Sequence, residues 1–134
     1  MTQRSTLAVD PKALTHEFYE TPRTFSKYLF SEVSVRGRAF EPCVGSGAIV
    51  TASEHLPGEQ REWVTSDLDH AWTAYYYGDA TGDELWREVT RLEGPIDWTV
   101  TNPPFEPAID ILTQALPGPV SVSPCTCAPR STRC

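Results

Sequence analysis

Residues 38–47 read Arg38-Ala39-Phe40-Glu41-Pro42-Cys43-Val44-Gly45-Ser46-Gly47, and a helix-forming run from about Ala48 to Leu56 follows. That order decides the fold class. Arg38-Ala39-Phe40 is a short strand, Gly45 and Gly47 form a turn able to take positive φ, and the next run stops at Pro57-Gly58. A strand, a glycine turn and a helix in succession make the first unit of an alternating α/β chain.

Reading outward, the alternation continues. Upstream, Thr21-Pro22 predicts an N-cap with proline at the first helical position, and Phe25, Tyr28, Leu29 and Val33 recur at helical spacing. Downstream, Glu62 to Ser66 predicts a second strand ending at Asp67. His70 to Ala74 predicts a short helix capped by Asp69, and Tyr75-Tyr76-Tyr77 a third strand before Gly78-Asp79. Thr81 and Glu84 have capping-box spacing ahead of Leu85, Trp86, Val89 and Leu92, a helix that Gly94-Pro95 ends. Ile96 to Thr101 predicts a fourth strand, and Pro107 opens a last helix carrying Ile109, Ile111, Leu112 and Leu116. The expected architecture is a parallel sheet with helices on both faces.

Composition narrows the function classes. The 134 residues carry eleven basic and eighteen acidic side chains, a net charge of −7, which disfavours a sequence-blind nucleic-acid binder resting on phosphate neutralisation. No stretch approaches the ~18 apolar residues of a membrane span, and Met1 to Ser5 lacks a signal-peptide core, so a cytoplasmic location is expected. Cys43 stands alone while Cys125, Cys127 and Cys134 fall at the end, matching neither a disulfide framework nor zinc-ligand spacing; reduced thiols are expected. Residues 1–16 form an N-terminal segment and 17–116 the domain. Residues 117–134 hold four prolines, two arginines and no acid, a change of composition that reads as a disordered or frameshifted tail.

Each chemically suggestive motif falls at a predicted strand end, where ligands bind in open α/β sheets. Gly45 and Gly47 let a ligand approach the backbone, although a tight turn needs glycine as well. Asp67, twenty residues after Gly47, can accept hydrogen bonds from ribose hydroxyls or simply cap a solvated turn. Asp79 can accept similarly from an adenine amino group. Asn102-Pro103-Pro104-Phe105 is the most informative stretch: an amide carbonyl, backbone carbonyls without competing proline donors, and an aromatic face. Two convergent acceptors orient an amino group and stabilise positive charge developing on its nitrogen, while Phe105 can stack on the planar group bearing it. His16 and Glu17 could suggest a ligand pair but lack partners and read as surface residues, and His55 and His70 carry no identifiable chemistry. Trp63, Trp86 and Trp98 read as core, and the tyrosine triplet as a half-buried strand.

Phe40 to Gly47 resembles the cofactor motif of S-adenosylmethionine-dependent methyltransferases, and Asn102 to Phe105 resembles their amino-methyltransferase motif. Phe18-Tyr19-Glu20-Thr21-Pro22 is similar to the upstream segment of N6-adenine DNA methyltransferases, phage-type ones included. The resemblance spans residues 17–116. It implies a Rossmann-like methyltransferase fold of seven strands, of which about four are legible here. It further implies S-adenosylmethionine as cofactor, with Tyr19, Thr21 and Pro22 closing over its methionine end, and Glu41, Cys43, Gly45 and Gly47 on the other side. Asp67 would take the ribose and Asp79-Ala80 the adenine. Asn102 and the Pro103 carbonyl would hold the target amine, with Pro104 and Phe105 completing the catalytic motif. The implied partner is DNA presenting a flipped adenine, and the implied transfer is a direct displacement without metal. RNA or protein glutamine are alternative acceptors. A cofactor-binding remnant without turnover is a second possibility, and a nicotinamide-dependent oxidoreductase, which leaves Asn102 to Phe105 unexplained, a third. Four strands with one edge uncovered would favour self-association.

Overall fold

The computed structural model describes residues 20–116 apart from 55 and 57–59, together with the backbone of 126–129. In chain order the elements are α1 (Arg23–Glu32), β1 (Gly37–Glu41), α2 (Ala48–Ser53), β2 (Arg61–Asp67), β3 (Tyr76–Tyr77), α3 (Asp83–Glu93), β4 (Trp98–Thr101), α4 (Ala108–Ala115) and β5 (Thr126–Pro129). The sheet order is β3-β2-β1-β4-β5. β1 pairs in parallel with both β2 and β4, β2 pairs in parallel with β3, and β5 runs antiparallel to β4. The fold is thus α/β and Rossmann-like. Its strand order reverses between β1 and β4, and such a reversal opens a crevice at the carboxyl ends of the strands.

Strand periodicity divides the core into two layers. Successive side chains point to opposite faces, so Ala39 joins Phe30, Val35, Ile49, Ala52 and Val100 under α1 and α2. Its neighbour Phe40 joins Val64, Leu85, Trp86, Val89, Ile96 and Ile111 under α3 and α4. Helices therefore cover both faces, as expected. The rings of Phe40 and Trp86 meet edge to face at 4.9 Å, and Trp86 Nε1 donates to the Ala80 carbonyl at 2.9 Å. Replacing Trp86 with alanine is expected to cost about 3–5 kcal/mol in urea denaturation, since a large cavity and an orphaned carbonyl result together.

Several local expectations are corrected. α1 begins after Pro22, not Thr21, and buries Ser26 and Phe30 while Phe25 and Tyr28 face solvent. Leu29 and Val33 of the expected stripe do pack against the core, joined by Phe30, whose ring meets Trp63 edge to face. α2 ends at Ser53 instead of Leu56. No helix forms at His70–Ala74: the Asp69 carboxylate accepts the Ala71 N–H and caps a single turn, while His70 stacks on Tyr77 with ring centroids 4.2 Å apart. The third strand is only Tyr76–Tyr77, with Tyr75 exposed. The Thr81–Glu84 capping box does not form, because Gly82 is the N-cap of α3 and Thr81 is turned to the Asp79 carboxylate. Ile109 faces outward from α4, which buries Ile111, Leu112 and Ala115.

The largest correction concerns the tail. Thr126–Pro129, within the stretch expected to be disordered, pairs with all four residues of β4. The edge of β4 is thereby covered, and among the described residues the sheet has five strands instead of the four legible in the sequence. The rest of 117–134 lies outside the described residues, as do Tyr19, His16 and Glu17. Among the described residues no helix is long and apolar enough to cross a membrane.

Candidate functional site

The crevice at the carboxyl ends of β1, β2, β3 and β4 holds a cavity of about 430 Å³, within the usual range for a small-molecule site. Four strand ends and the segment before α1 build it. Of the residues singled out from sequence, Thr21, Glu41, Cys43, Gly45, Asp67, Asp79, Ala80 and Asn102 to Phe105 line it. Gly47 and Pro22 do not, and Tyr19 lies outside the described residues.

Gly47 acts on the backbone instead. Its φ of 84° makes it the left-handed N-cap of α2, and its N–H donates to the Val44 carbonyl at 2.8 Å. A side chain there would meet no neighbour, so the need for glycine is conformational. Gly45, with φ 51°, donates its N–H to Asp67 Oδ2 at 2.9 Å. Asp67 Oδ1 accepts the Asp69 N–H at 2.9 Å. A single carboxylate thus joins the turn after β1 to the turn after β2. The Val44 N–H bond to the Ser66 carbonyl and the Ser66 hydroxyl bond to the Pro42 carbonyl reinforce that joint. Asp67 therefore has an architectural task in addition to any ligand role.

Glu41 is buried at the end of β1, only 2% exposed, and accepts the Cys43 N–H at 3.0 Å. Burial pushes its carboxyl up to about 8, and the Asp67 charge adds to the rise against that hydrogen bond. Below that pH Glu41 is a neutral acid. Burial, with the neighbouring Glu41 and Asp67 charges, also drives the Cys43 thiol well above its usual range, so it is a protonated wall group and not a nucleophile. Asp79 is held below the ordinary carboxylate range by bonds from the Thr81 hydroxyl and N–H, both to Oδ1. Its other oxygen receives no bond from Thr81.

At the end of β4, Asn102 Nδ2 donates to Thr21 Oγ1 at 3.1 Å. Pro103 is buried beside it, whereas Phe105 is 71% exposed on the cavity wall. Those positions give an acceptor group and an aromatic face at one side of the cavity.

Two features escaped the sequence reading. Leu68 and Trp72, on the loop that replaces the expected helix, supply apolar wall; their role depends on a turn that periodicity does not reveal. The second is the electrostatic character of the lining. Glu20, Asp67, Asp69, Asp79, Glu106 and Asp110 contribute carboxylates beside the neutral Glu41, and among the described lining residues there is no lysine, arginine or histidine. Such a cavity favours a cationic ligand and disfavours a polyanion. Comparison with protein-family models, curated proteins and solved structures finds no match.

Proposed function

We propose that the cavity binds S-adenosylmethionine and serves methyl transfer to an exocyclic amino group, with adenine N6 in DNA as the acceptor, on a methyltransferase variant of the Rossmann-like fold. The observation that carries this reading is convergence: the glycine turn, Asp67, Asp79 and Asn102 to Phe105 are distant in sequence yet surround one cavity of about 430 Å³. The lining supports it too. Carboxylates without a basic partner suit a ligand bearing sulfonium and ammonium charges, and suit poorly the pyrophosphate of a nicotinamide dinucleotide.

Bound S-adenosylmethionine supplies an electrophilic methyl carbon. The chain's own residues do the rest. Asp67 and Asp79 accept from hydroxyl and amino groups, while the glycine turn admits the ligand against the backbone. Asn102 and the Pro103 carbonyl hold the acceptor amine by its N–H groups and stabilise the positive charge developing on its nitrogen. Phe105 offers a stacking face to the flat group bearing that amine.

Calorimetric titration of the full chain tests the reading. Saturable binding of S-adenosylmethionine and none of NAD is expected, with Asp79→Asn weakening affinity about tenfold through loss of a charged acceptor. Binding of NAD alone overturns it. Asp67→Ala is a poor control, because it also frees the Gly45 and Asp69 N–H groups.

One observation favours binding without turnover on DNA. Glu20, Glu106 and Asp110 are exposed at the cavity and no described lining residue is basic, so backbone phosphates approaching it are repelled. RNA meets the same repulsion, whereas a protein glutamine does not. Labelled-methyl transfer to DNA, compared with transfer to a glutamine peptide, separates these readings.

A further inference from the structure

Asn102 is the chain's one asparagine. Its side-chain amide has a donor end and an acceptor end, and which end meets a ligand depends on what holds the other. Here Nδ2 donates to Thr21 Oγ1 at 3.1 Å, across 81 residues of sequence, and both residues line the cavity. Thr21 is only 9% exposed, so water competes little for its hydroxyl. Pro103 follows directly and restricts the Asn102 backbone to extended conformations. A threonine hydroxyl can donate as well as accept, so the orientation rests on the direction seen here, from Nδ2 to Oγ1, which leaves Oδ1 to a ligand. An inverted amide would set NH2 against the N–H groups of an amine.

We propose that Thr21 is the positioning residue for Asn102: by accepting from Nδ2 it presents the carbonyl oxygen to the ligand, and so selects an amino group over a carbonyl at that point. The selection rests on the proposed function, whereas the positioning does not. It gives the segment before α1 a task at the acceptor amine as well as beside the cofactor.

Selective ¹⁵N labelling of asparagine in the full chain yields a single side-chain amide pair. In wild type and Thr21→Ser the two protons are expected to be widely split and slow to exchange. In Thr21→Val, which keeps the shape but lacks the acceptor, they collapse to the pattern of a solvated amide, with the melting temperature within about 4 °C of wild type. With S-adenosylmethionine saturating, 9-methyladenine is expected to bind at least about tenfold more tightly than 9-methylhypoxanthine in wild type and Thr21→Ser, and within about threefold in Thr21→Val. A collapsed pair in the folded wild-type chain, or equal splitting in Thr21→Val, overturns the positioning. Splitting that follows Thr21 without any amine preference overturns the selection. Where Thr21→Val does not fold, Thr21→Ala, which also lacks the hydroxyl, takes its place with the same outcomes. Failure of S-adenosylmethionine to bind sinks the reading of the cavity, and the amide spectrum still decides the role of Thr21.

Discussion

Asn102→Ala is expected to lower methyl transfer to adenine-containing DNA by about 10²–10³-fold, the usual effect of deleting one preorganised polar group at a reacting centre. Cofactor affinity should change by less than about threefold. The split follows from position. Asn102 sits at the end of β4 and, among the described residues, its side-chain bond is to Thr21, whereas the glycine turn and Asp79 belong to other strand ends. On the proposed reading, alanine removes the acceptor for the amine and leaves the Thr21 hydroxyl to find water. Single-turnover transfer of a labelled methyl group, paired with calorimetry on the same preparation, measures both quantities. Equal loss of transfer and of cofactor binding would place Asn102 in the cofactor site or in the support of the fold instead.

The second large effect is a dependence of stability on pH. Glu41 titrates near the ordinary carboxylate value when unfolded but is raised to about 8 when folded, because burial penalises its charge. The folded state therefore holds an extra proton between those values. Its contribution is fully present below the unfolded pKa and is lost as pH rises through the folded one. Unfolding free energy should fall by on the order of 3 kcal/mol from pH 5 to pH 8.5. Asp79, depressed by its Thr81 bonds, acts with the opposite sign and only in the acid limb, below this window. Urea denaturation at three pH values measures the slope. Glu41→Gln, neutral throughout, should flatten it; an unchanged slope in that variant would assign the effect to other groups.

How much of this was legible beforehand depended on where the information resides. β1, β2 and β4 were readable because parallel strands covered on both faces are short apolar runs, and their carboxyl ends located the site. Gly45, Asp67 and Asn102 were readable because their chemistry is local to a strand end. The loop 68–75 was not. Its aromatic residues and aspartates satisfy helical spacing, but the Asp69 cap, the His70–Tyr77 stack and the Tyr77 hydroxyl bond to the Trp72 carbonyl favour a turn. The strand Thr126–Pro129 was illegible for a different reason: its sequence has no strand signature, and Pro129 lacks a ladder donor. Its conformation answers to the unpaired edge of β4, a tertiary influence no window of sequence contains. The bond from Asn102 to Thr21 was hidden in the same way, since 81 residues separate its ends.

The double duty of Asp67 has an evolutionary consequence. A lineage that ceased to bind any ligand would remain under selection at this position, because the Gly45 and Asp69 N–H groups would still need their acceptor. Asp79, whose carboxylate partners among the described residues are both on Thr81, is anchored within its local turn and is free to drift in a chain that binds no ligand there. Among descendants of this fold, an aspartate at position 67 is therefore a record of architecture, and on the proposed reading an aspartate at position 79 is the better record of ligand binding.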